Sequence, residues 1–321
     1  MTASQHDVRK YTIGWLCALP VELAASRLVL DRIHTGHWAD STDGMQYTLG
    51  IIGSHNVVLG CLPAGETGIG AAATVATRMR GRFPNMQFGL MVGIGGGVPT
   101  KTDVRLGDVV VSQPVDNSAS VVQYDMGRAT TRGFVRTGFL NAPPQILRQA
   151  LANLQARHMC EESNMPKYLA IFEKKNLFKR PPHESDILFE STYSHDQDER
   201  DCEGCDKSKI KFRGPREENK VVVHYGTIAS GNQVMKDAQT RDLLSNEPGG
   251  VLCFEMEAAG LMNNFDCLVI RGIADYADSH KNDRWQPYAA AVAAAFAKDL
   301  LVDIPPTNLP TISNLSVCQM V

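Results

Sequence analysis

Residues 88–97 read FGLMVGIGGG, an apolar run that passes directly into a cluster of glycines. The pattern predicts a buried strand over Phe88–Val92 and then a glycine-rich turn over Gly93–Gly97. Such glycines let a ligand approach backbone N–H groups closely, although a tight structural turn explains them equally well. The spacing is not G-x-G-x-x-G, no helix opens after it, and no G-K-[ST] ending follows. A dinucleotide-binding fold and a P-loop are therefore disfavoured.

On both sides of this stretch, apolar runs alternate with helical patterns. Tyr47–Ile52 and Val57–Leu62 flank Gly53-Ser54-His55-Asn56, which predicts a hairpin and hence a mixed sheet. The other predicted strands are Tyr11–Leu16, Val109–Ser112, Val221–Ala229 and Cys267–Ala274. The predicted helices are Val21–Leu30, Gly68–Arg82, Pro143–Arg157, Val234–Leu244, Phe254–Asn263 and Tyr288–Leu301. Strands that alternate with helices predict a layered α/β domain.

The composition disfavours several classes of partner. The 32 Lys+Arg and 35 Asp+Glu residues give a formal charge of −3, which argues against a nucleic-acid or polybasic membrane surface. No apolar run approaches the roughly 18 residues that span a bilayer, and the first ten residues, MTASQHDVRK, do not resemble a signal peptide. Cys17, Cys61, Cys253 and Cys267 lie singly in apolar segments, as buried thiols do in a reducing compartment. We expect a cytoplasmic protein.

Charge is concentrated in the middle of the chain, where residues 161–220 hold 12 Lys/Arg and 14 Asp/Glu. Aromatic and apolar residues are interspersed there, so the segment is not simply disordered. They are Tyr168, Ile171, Phe172, Ile187, Leu188, Phe189 and Tyr193. We interpret residues 139–220 as an insertion, part helix and part loop, on a single domain of residues 1–304. Residues 305–321 are interpreted as a loose polar tail.

Several acidic residues stand where ligands of α/β proteins gather. Asp275 and Arg271 end the buried strand pattern, and Glu22 follows the first strand. Glu255 and Glu257 flank Met256 inside an apolar run, where carboxylates are unfavourable unless they are partnered. On the predicted helix, residues two apart point in different directions, so one carboxylate would bind ligand and the other would be structural. A helix N-terminus that attracts carboxylates, or a structural Arg–Asp pair, remains the alternative.

Half of a zinc-binding signature occurs in the charged segment. Cys202 and Cys205 form a C-x-x-C pattern with His183 and His195 upstream, but a second pair at matching spacing is missing. Cys160 and His224 are candidates to complete the site in space. Two free thiols or a local redox pair are the alternatives, and no cofactor is expected.

Six motifs in order resemble the purine nucleoside phosphorylase / uridine phosphorylase superfamily, over about residues 10–140 and 221–302. The resemblance is strongest to its methylthioadenosine/adenosylhomocysteine nucleosidases and to fungal domains that stand alone or at the front of NLR-type proteins. The motifs are Ala18-Leu19-Pro20-Val21-Glu22, Gly93–Gly97, Leu106–Ser112, Ser230-Gly231-Asn232, Phe254–Ala258 and Arg271–Asp275. The resemblance implies a three-layer α/β/α sandwich around a mixed, partly closed sheet, a homo-oligomer, and cleavage of a nucleoside N-glycosidic bond without a cofactor.

The resemblance also implies a role for each matching residue. Asp275 would protonate purine N7, Glu257 would bind the ribose hydroxyls, Met256 would pack on the sugar, Glu22 would activate water and Arg271 would help to position that water. The same motifs imply further substrate contacts around the base, the sugar and the attacking water. These are Ile94, Gly95, Gly96, Ser230, Asn232, Val234, Met235, Phe254 and Glu255.

Two departures from the family pattern bear on this assignment. Ala274 stands where nucleosidases have a serine that orients the acid, and Val234 where many have a base-stacking phenylalanine. Another aromatic residue must then supply stacking, and Trp285, Tyr276 and Phe254 are the candidates.

Hydrolysis is favoured over phosphorolysis by the residues around the expected attacking group. Family phosphorylases carry an arginine and a serine around the glycine loop and an arginine near the first strand, where this chain has Met91, Ile94 and Glu22. A buried carboxylate repels phosphate but accepts a proton from water. The sequence thus predicts a purine nucleoside N-ribohydrolase acting on adenosine- or inosine-type substrates. A phosphorylase, or a purine-sensing module without turnover, is the alternative.

Overall fold

The computed structural model describes residues 7–34, 43–161, 163–195, 202–216, 220–246 and 250–306. Its strands are β1 Ile13–Cys17, β2 Arg32–Ile33, β3 Thr48–Ile52, β4 His55–Cys61, β5 Phe88–Gly97, β6 Val109–Ser112, β7 Val121–Gln123, β8 Gly127–Thr130, β9 Gly133–Arg136, β10 Val223–Ser230, β11 Val251–Glu255 and β12 Cys267–Asp275. Its α-helices are α1 Pro20–Leu28, α2 Ile69–Arg82, α3 Gln145–Cys160, α4 Met165–Glu173, α5 Ala238–Ser245 and α6 Gln286–Asp303.

The central sheet is mixed and closes on itself, which confirms the predicted α/β/α fold. Its strand order is β11-β10-β6-β12-β5-β1-β4-β3-β2, and β11 also pairs with β5. Five strands therefore form a ring, β5-β12-β6-β10-β11, and the remaining strands extend it through β1. The predicted hairpin is β3 and β4, which pair antiparallel.

Helix α6 is the most buried helix of the described chain. Its alanine-rich stretch from Tyr288 to Leu301 is buried throughout and packs on β12 and β5. Gly272 in β12 permits this close approach, because a Cβ there would lie 1.9 Å from the Ala289 carbonyl oxygen. The small residues thus bring α6 close behind the strand that ends at Asp275.

The glycine-rich stretch differs from its prediction, because Gly93–Gly97 continues strand β5 instead of forming a turn. These residues pair with β12 on one side, and Gly96 and Gly97 pair with β11 on the other. The missing side chains leave room for groups from neighbouring strands. A strand in this place is what closes the ring.

Two predicted helices differ from the structure: one is absent and the other begins later. Phe254–Asn263 is not a helix: β11 runs to Glu255, and a 3-10 turn, Ala258–Gly260, follows Glu257. Residues 234–237 precede α5, which begins only at Ala238 after the cap Asp237. Tertiary pairing with β5 and β10 outweighs the helix propensity of Glu255, Met256 and the alanines.

The charged segment is tied to the domain core. Its helix α3 was predicted at Pro143–Arg157, and both α3 and α4 contact α6. Buried Asp299 of α6 accepts hydrogen bonds from Arg157 at 2.7 Å and pairs with His158 at 2.9 Å. Most of the tail, residues 307–321, lies outside the described residues. Within the described part of the chain, no helix combines the length and hydropathy needed to cross a bilayer.

Candidate active site

A cavity opens at the carboxyl ends of β1, β5, β11 and β12, where ligands of α/β sheets bind. Eleven of the fourteen residues predicted for the site line it. These are Glu22, Ile94, Gly95, Gly96, Val234, Met235, Phe254, Glu255, Met256, Glu257 and Asp275. The cavity is also lined by Ala18, Leu19, Thr67, Gln233, Ala277 and Lys281. Residues far apart in sequence therefore meet at one end of the ring.

Arg271 lies beneath the cavity and joins its three glutamates. The guanidinium is only 1% exposed, and its Nη2 donates to Glu255 and lies 3.3 Å from a Glu257 oxygen. Its Nη1 lies 4.0 Å from Glu22 Oε1. Although burial lowers the pKa of Arg271, the carboxylates raise it further, so the cation persists.

Glu22 is held at the cavity wall by backbone N–H groups. Its Oε2 accepts from Ala18 at 2.7 Å and Leu19 at 2.9 Å, and its Oε1 accepts from Ile94 at 2.8 Å. Burial raises the pKa of Glu22, against the opposing effects of Arg271 and these N–H groups. A carboxylate fixed in this way, with its pKa moved toward neutrality, is suited to accept a proton.

Glu255 and Glu257 differ in their contacts, and they do not lie on the helix that was predicted for them. Glu255 accepts from the Glu257 and Ala258 N–H groups and pairs with Arg271, so its oxygens are occupied by the protein. Glu257 accepts from the Gly68 N–H at 3.1 Å and lines the cavity. Burial raises the pKa of Glu257 to about 7, and the charges of Glu255 and Glu22 add to this effect against Arg271.

Asp275 is paired with a cation that the sequence did not predict. Its Oδ2 lies 2.7 Å from the Lys281 Nζ, and its Oδ1 accepts from the Ala277 N–H at 2.8 Å. The Asp275 carboxylate is buried, whereas the Lys281 side chain is 25% exposed. The lysine thus connects the buried acid with solvent.

The β5 glycines make room for these groups. A Cβ at Gly93 would lie 2.4 Å from both Arg271 Nη1 and Glu22 Oε1. A Cβ at Gly96 would lie 2.7 Å from Asp275 Oδ1 and 2.8 Å from the Ala277 Cβ. The glycines therefore let Glu22 of α1, and Arg271 and Asp275 of β12, approach the β5 backbone.

The apolar part of the cavity contains one of the three aromatic residues considered for base stacking. Phe254 lines it together with Val234, Met235 and Met256. Tyr276 instead donates a hydrogen bond to Asp186, and Trp285 packs edge-on against Tyr288. Both of these rings are buried away from the cavity lining.

Ser230 and Asn232, which were also predicted to contact substrate, are not among the described residues that line the cavity. Ser230 Oγ accepts from the Ala259 N–H at 2.9 Å, and Asn232 Oδ1 accepts from the Ile69 N–H at 3.1 Å. They hold the turn after Glu257 and the start of α2. Because these two side-chain oxygens already accept hydrogen bonds from the backbone, Ser230 and Asn232 hold the wall of the cavity in place.

Thr67, Gln233 and Lys281 were missed because none belongs to a motif of chemically distinctive residues. Each lies in a loop that reaches the carboxyl end of the sheet. The position of Lys281 in the polar loop after β12 is the one sequence signal for it, since such loops border ligand sites.

The cysteine pattern lies outside the cavity lining. The ligand atoms of His195, Cys202 and Cys205 all lie within 4.8 Å of one another. Cys160 and His224 do not complete this group as predicted: Cys160 is exposed at the end of α3, and His224 pairs with Asp108 at 2.9 Å. His183, in its own 3-10 turn, is not part of the group either.

The structure thus combines a closed mixed sheet with a carboxylate-lined cavity at one end. Residues 12–302 match the family model described as Phosphorylase superfamily. The chain therefore belongs to the phosphorylase superfamily, as its motifs predicted.

The chain is similar to three other proteins that bear on its function. It is 46% identical over 304 residues to a nucleotide-binding leucine-rich repeat (NLR)-like protein of Hyaloscypha variabilis, covering 94% of this chain but 30% of that protein. It is 25% identical over 299 residues to 5′-methylthioadenosine/S-adenosylhomocysteine nucleosidase of Mycobacterium bovis, covering 92% and 97%. The Neisseria meningitidis nucleosidase of that name, in complex with methylthio-immucillin-A, shares the fold at TM-score 0.57 with 15% identity, covering 91% and 98%.

Proposed function

We propose that this protein is a purine nucleoside N-ribohydrolase, which cleaves the N-glycosidic bond of adenosine- or inosine-type ribonucleosides. The observation that carries the proposal is the carboxylate Glu22 at the cavity wall. Among the described residues lining the cavity, Lys281 is the only basic one, and it is paired with Asp275. A phosphate dianion would therefore meet Glu22, Glu255 and Glu257 with no uncommitted cation beside it, whereas water would find a base.

Glu22 activates the water in the proposed reaction. Its carboxylate takes a proton from water while the water oxygen attacks C1′ of the ribose, and the bond from C1′ to the purine nitrogen breaks. The backbone N–H groups of Ala18, Leu19 and Ile94 hold the carboxylate in place. A positioned base of this kind contributes roughly 10²–10⁴-fold to rate.

Asp275 and Lys281 together protonate the departing base. The electron pair of the broken bond leaves with the purine, and a proton on N7 neutralises it. Lys281 passes a proton to the Asp275 carboxylate, Asp275 gives it to N7, and the solvent-facing lysine is reprotonated from water. The 2.7 Å contact between the two side chains supports this transfer.

Glu257 and Met256 hold the sugar in this proposal. Glu257 faces the cavity and accepts hydrogen bonds from ribose hydroxyls, while Met256 packs against the sugar ring. Phe254, Val234 and Met235 supply the apolar surface for the purine. The similarity to a 5′-methylthioadenosine/S-adenosylhomocysteine nucleosidase supports a purine nucleoside as the substrate class.

An assay of base release tests the proposal. Purified protein is incubated with adenosine, inosine and 5′-substituted adenosines, with and without inorganic phosphate, and the products are separated by chromatography. We expect free base and free ribose in phosphate-free buffer. Asp275→Asn, prepared in parallel, serves to exclude a contaminating hydrolase. Strict dependence on phosphate with ribose 1-phosphate as product would overturn the hydrolase assignment in favour of a phosphorylase.

A purine-sensing role without turnover is the second candidate, and the similarity to an NLR-like protein favours it. The chain spans 30% of that relative's length, so further domains there could read out a bound ligand. Calorimetric binding of a purine nucleoside with no base released would support this candidate. We further propose that the chain forms a homo-oligomer, which sedimentation velocity measures directly.

A further inference from the structure

The charged segment brings together three side chains that ligate zinc. Ligand atoms of His195, Cys202 and Cys205 lie within 4.8 Å of one another. Tetrahedral Zn²⁺ with bonds of about 2.0–2.3 Å places its ligand atoms about 3.5 Å apart. Movements of about 1 Å in the ligand atoms, from at most 4.8 Å apart to about 3.5 Å apart, would close the group around one ion. Two thiolates and an imidazole are ligands that zinc prefers.

The backbone before His195 is hydrogen-bonded to the backbone that follows Cys205. Cys205 N–H donates to the Cys202 carbonyl at 3.3 Å, which forms a turn that directs both thiols to one side. Further along, Glu190 N–H donates to Lys209 at 2.9 Å and Lys211 N–H donates to Leu188 at 2.8 Å. The two flanks of the cysteine pair are therefore joined, so the ligands need little rearrangement on binding.

His280, from the loop after β12, lies against this group. Its ring is 5.5 Å from the His195 ring, centre to centre, in an edge-on arrangement. Two imidazoles on one tetrahedral zinc ion place their centres about 5 Å apart, given zinc–nitrogen bonds of about 2.0–2.1 Å. The Cys202 thiol lies 4.0 Å from the His280 carbonyl oxygen. The loop and the charged segment thus meet where the candidate ligands converge.

The ring of His280 is buried without hydrogen bonds. The residue is 8% exposed, and neither ring nitrogen has a hydrogen-bond partner among the described residues. Asp278 Oδ1 is 3.7 Å from Nδ1, too far for a hydrogen bond. Phe189 stacks on the ring at 4.0 Å. A buried polar ring without partners needs an explanation, and a bound metal ion supplies one.

We propose that His195, Cys202, Cys205 and His280 form a structural zinc site that fastens the charged segment to the loop after β12. Four protein ligands make a closed site, which is typical of structural zinc. His280 directly precedes Lys281, which pairs with Asp275 at the cavity. The metal therefore fixes the backbone on which Lys281 stands.

Metal content and cobalt spectroscopy test the site directly. We expect one zinc ion per chain by elemental analysis, and we expect Co²⁺ substitution to give intense visible bands of tetrahedral cobalt with a thiolate charge-transfer band. Cys202→Ser and Cys205→Ser should each lose the metal, whereas Cys160→Ser, at an exposed cysteine of α3, should keep it. A wild-type chain with no stoichiometric Zn²⁺ or Co²⁺ binding, or a Cys202–Cys205 disulfide in freshly purified protein, would overturn the proposal.

Two further measurements test His280 as the fourth ligand and the role of the metal in fastening the charged segment to the loop after β12. His280→Ala should weaken Zn²⁺ binding by at least tenfold and change the cobalt spectrum, and unchanged binding would overturn its assignment as a ligand. A chelator should lower the thermal midpoint of the wild-type chain but leave that of Cys205→Ser unaltered. An equal shift in both proteins would contradict a structural metal. None of these measurements requires catalytic turnover, so they stand whether or not the hydrolase assignment holds.

Discussion

The Glu22 carboxylate is buried, accepts hydrogen bonds from three backbone N–H groups and lies near Arg271. We predict that Glu22→Gln lowers kcat by at least about 10²-fold, because an amide cannot take the proton from water. Binding of the nucleoside, measured by calorimetry, should persist because the sugar and base contacts remain.

Arg27→Gln is the matched control for this substitution. Arg27 lies on the same helix α1 and is exposed, so its charge is remote from the cavity lining. This variant should turn over like the wild type. Normal turnover by Glu22→Gln would remove the residue from its proposed role.

Lys281 is the residue whose function follows from the structure and not from a motif. We predict that Lys281→Met lowers kcat/KM by about 10²-fold, because buried Asp275 loses both its cation and its route to solvent protons. Lys281→Arg should recover part of the loss, and Lys236→Met, at an exposed site before α5, should have no effect. A pH–rate profile that is identical in Lys281→Met and the wild type would contradict proton transfer through this pair.

Glu257 makes the free energy of unfolding depend on pH. Burial raises its pKa from an ordinary 4.5 to about 7 in the folded chain, so the folded state binds the proton more tightly than the unfolded state. The resulting stability is present below pH 4.5 and is lost as pH rises through 7, amounting to at most about 3 kcal/mol. Across this window, the free energy of unfolding measured with urea should fall more steeply with pH in the wild type than in Glu257→Gln. Equal slopes of the free energy of unfolding against pH in the two proteins would contradict this effect of Glu257.

Most of the residues predicted for the site, acidic and apolar alike, line the cavity, but Lys281, Thr67 and Gln233 were not predicted. Glu22, Glu257 and Asp275 are unusual residues at strand ends and stand in recognisable motifs, so their convergence could be predicted. Ser230 and Asn232 stand in a motif too, but whether an acceptor meets ligand or a backbone N–H depends on packing. The pairing of Lys281 with Asp275 could be found only from the structure, because no sequence spacing relates the two residues across the intervening loop.

At the scale of elements, strand β5 can pack closely against its neighbours only because its glycines have no side chains. We predict that Gly96→Ala destabilises the chain by about 1–3 kcal/mol and reduces turnover, because its Cβ meets Asp275 and Ala277. Gly81→Ala is the contrasting substitution, since nothing lies within 4 Å of its Cβ position on α2. It should stabilise the chain by about 0.5–1 kcal/mol. Equal unfolding midpoints for the two variants would refute the packing argument.

The elements that were predicted correctly are those whose local pattern agrees with their environment. Helix α6 and strand β12 are mostly apolar, and β12 and the Tyr288–Leu301 stretch of α6 are buried. The stretch Phe254–Asn263 has helix-forming residues, yet pairing of β11 with β5 and β10 decides its conformation. Gly93–Gly97 contains turn-forming residues that serve as a strand, because neighbouring side chains fill the space above it.

At the scale of the whole molecule, the family match runs from residue 12 to residue 302, a range that includes the charged segment. Helices α3 and α4 of that segment pack on α6, and Asp299 of α6 forms an ion pair with Arg157 of α3. The expectation of one domain with an insertion at 139–220 stays a prediction. Its boundaries could not be derived from charge alone, because buried Leu147 and Phe172 belong to the core.

The ring of five strands also sets an order of events during synthesis. Strands β1, β3 and β4 can pair early, but β5 and β6 gain their shared neighbour β12 only when residues 267–275 have left the ribosome. Until then, a strand rich in glycine keeps an open edge, and open edges invite association with other chains. The open edge of β5 therefore needs protection until β12 has been synthesised. Asp275, the last residue of β12, arrives at its place only as that exposure ends.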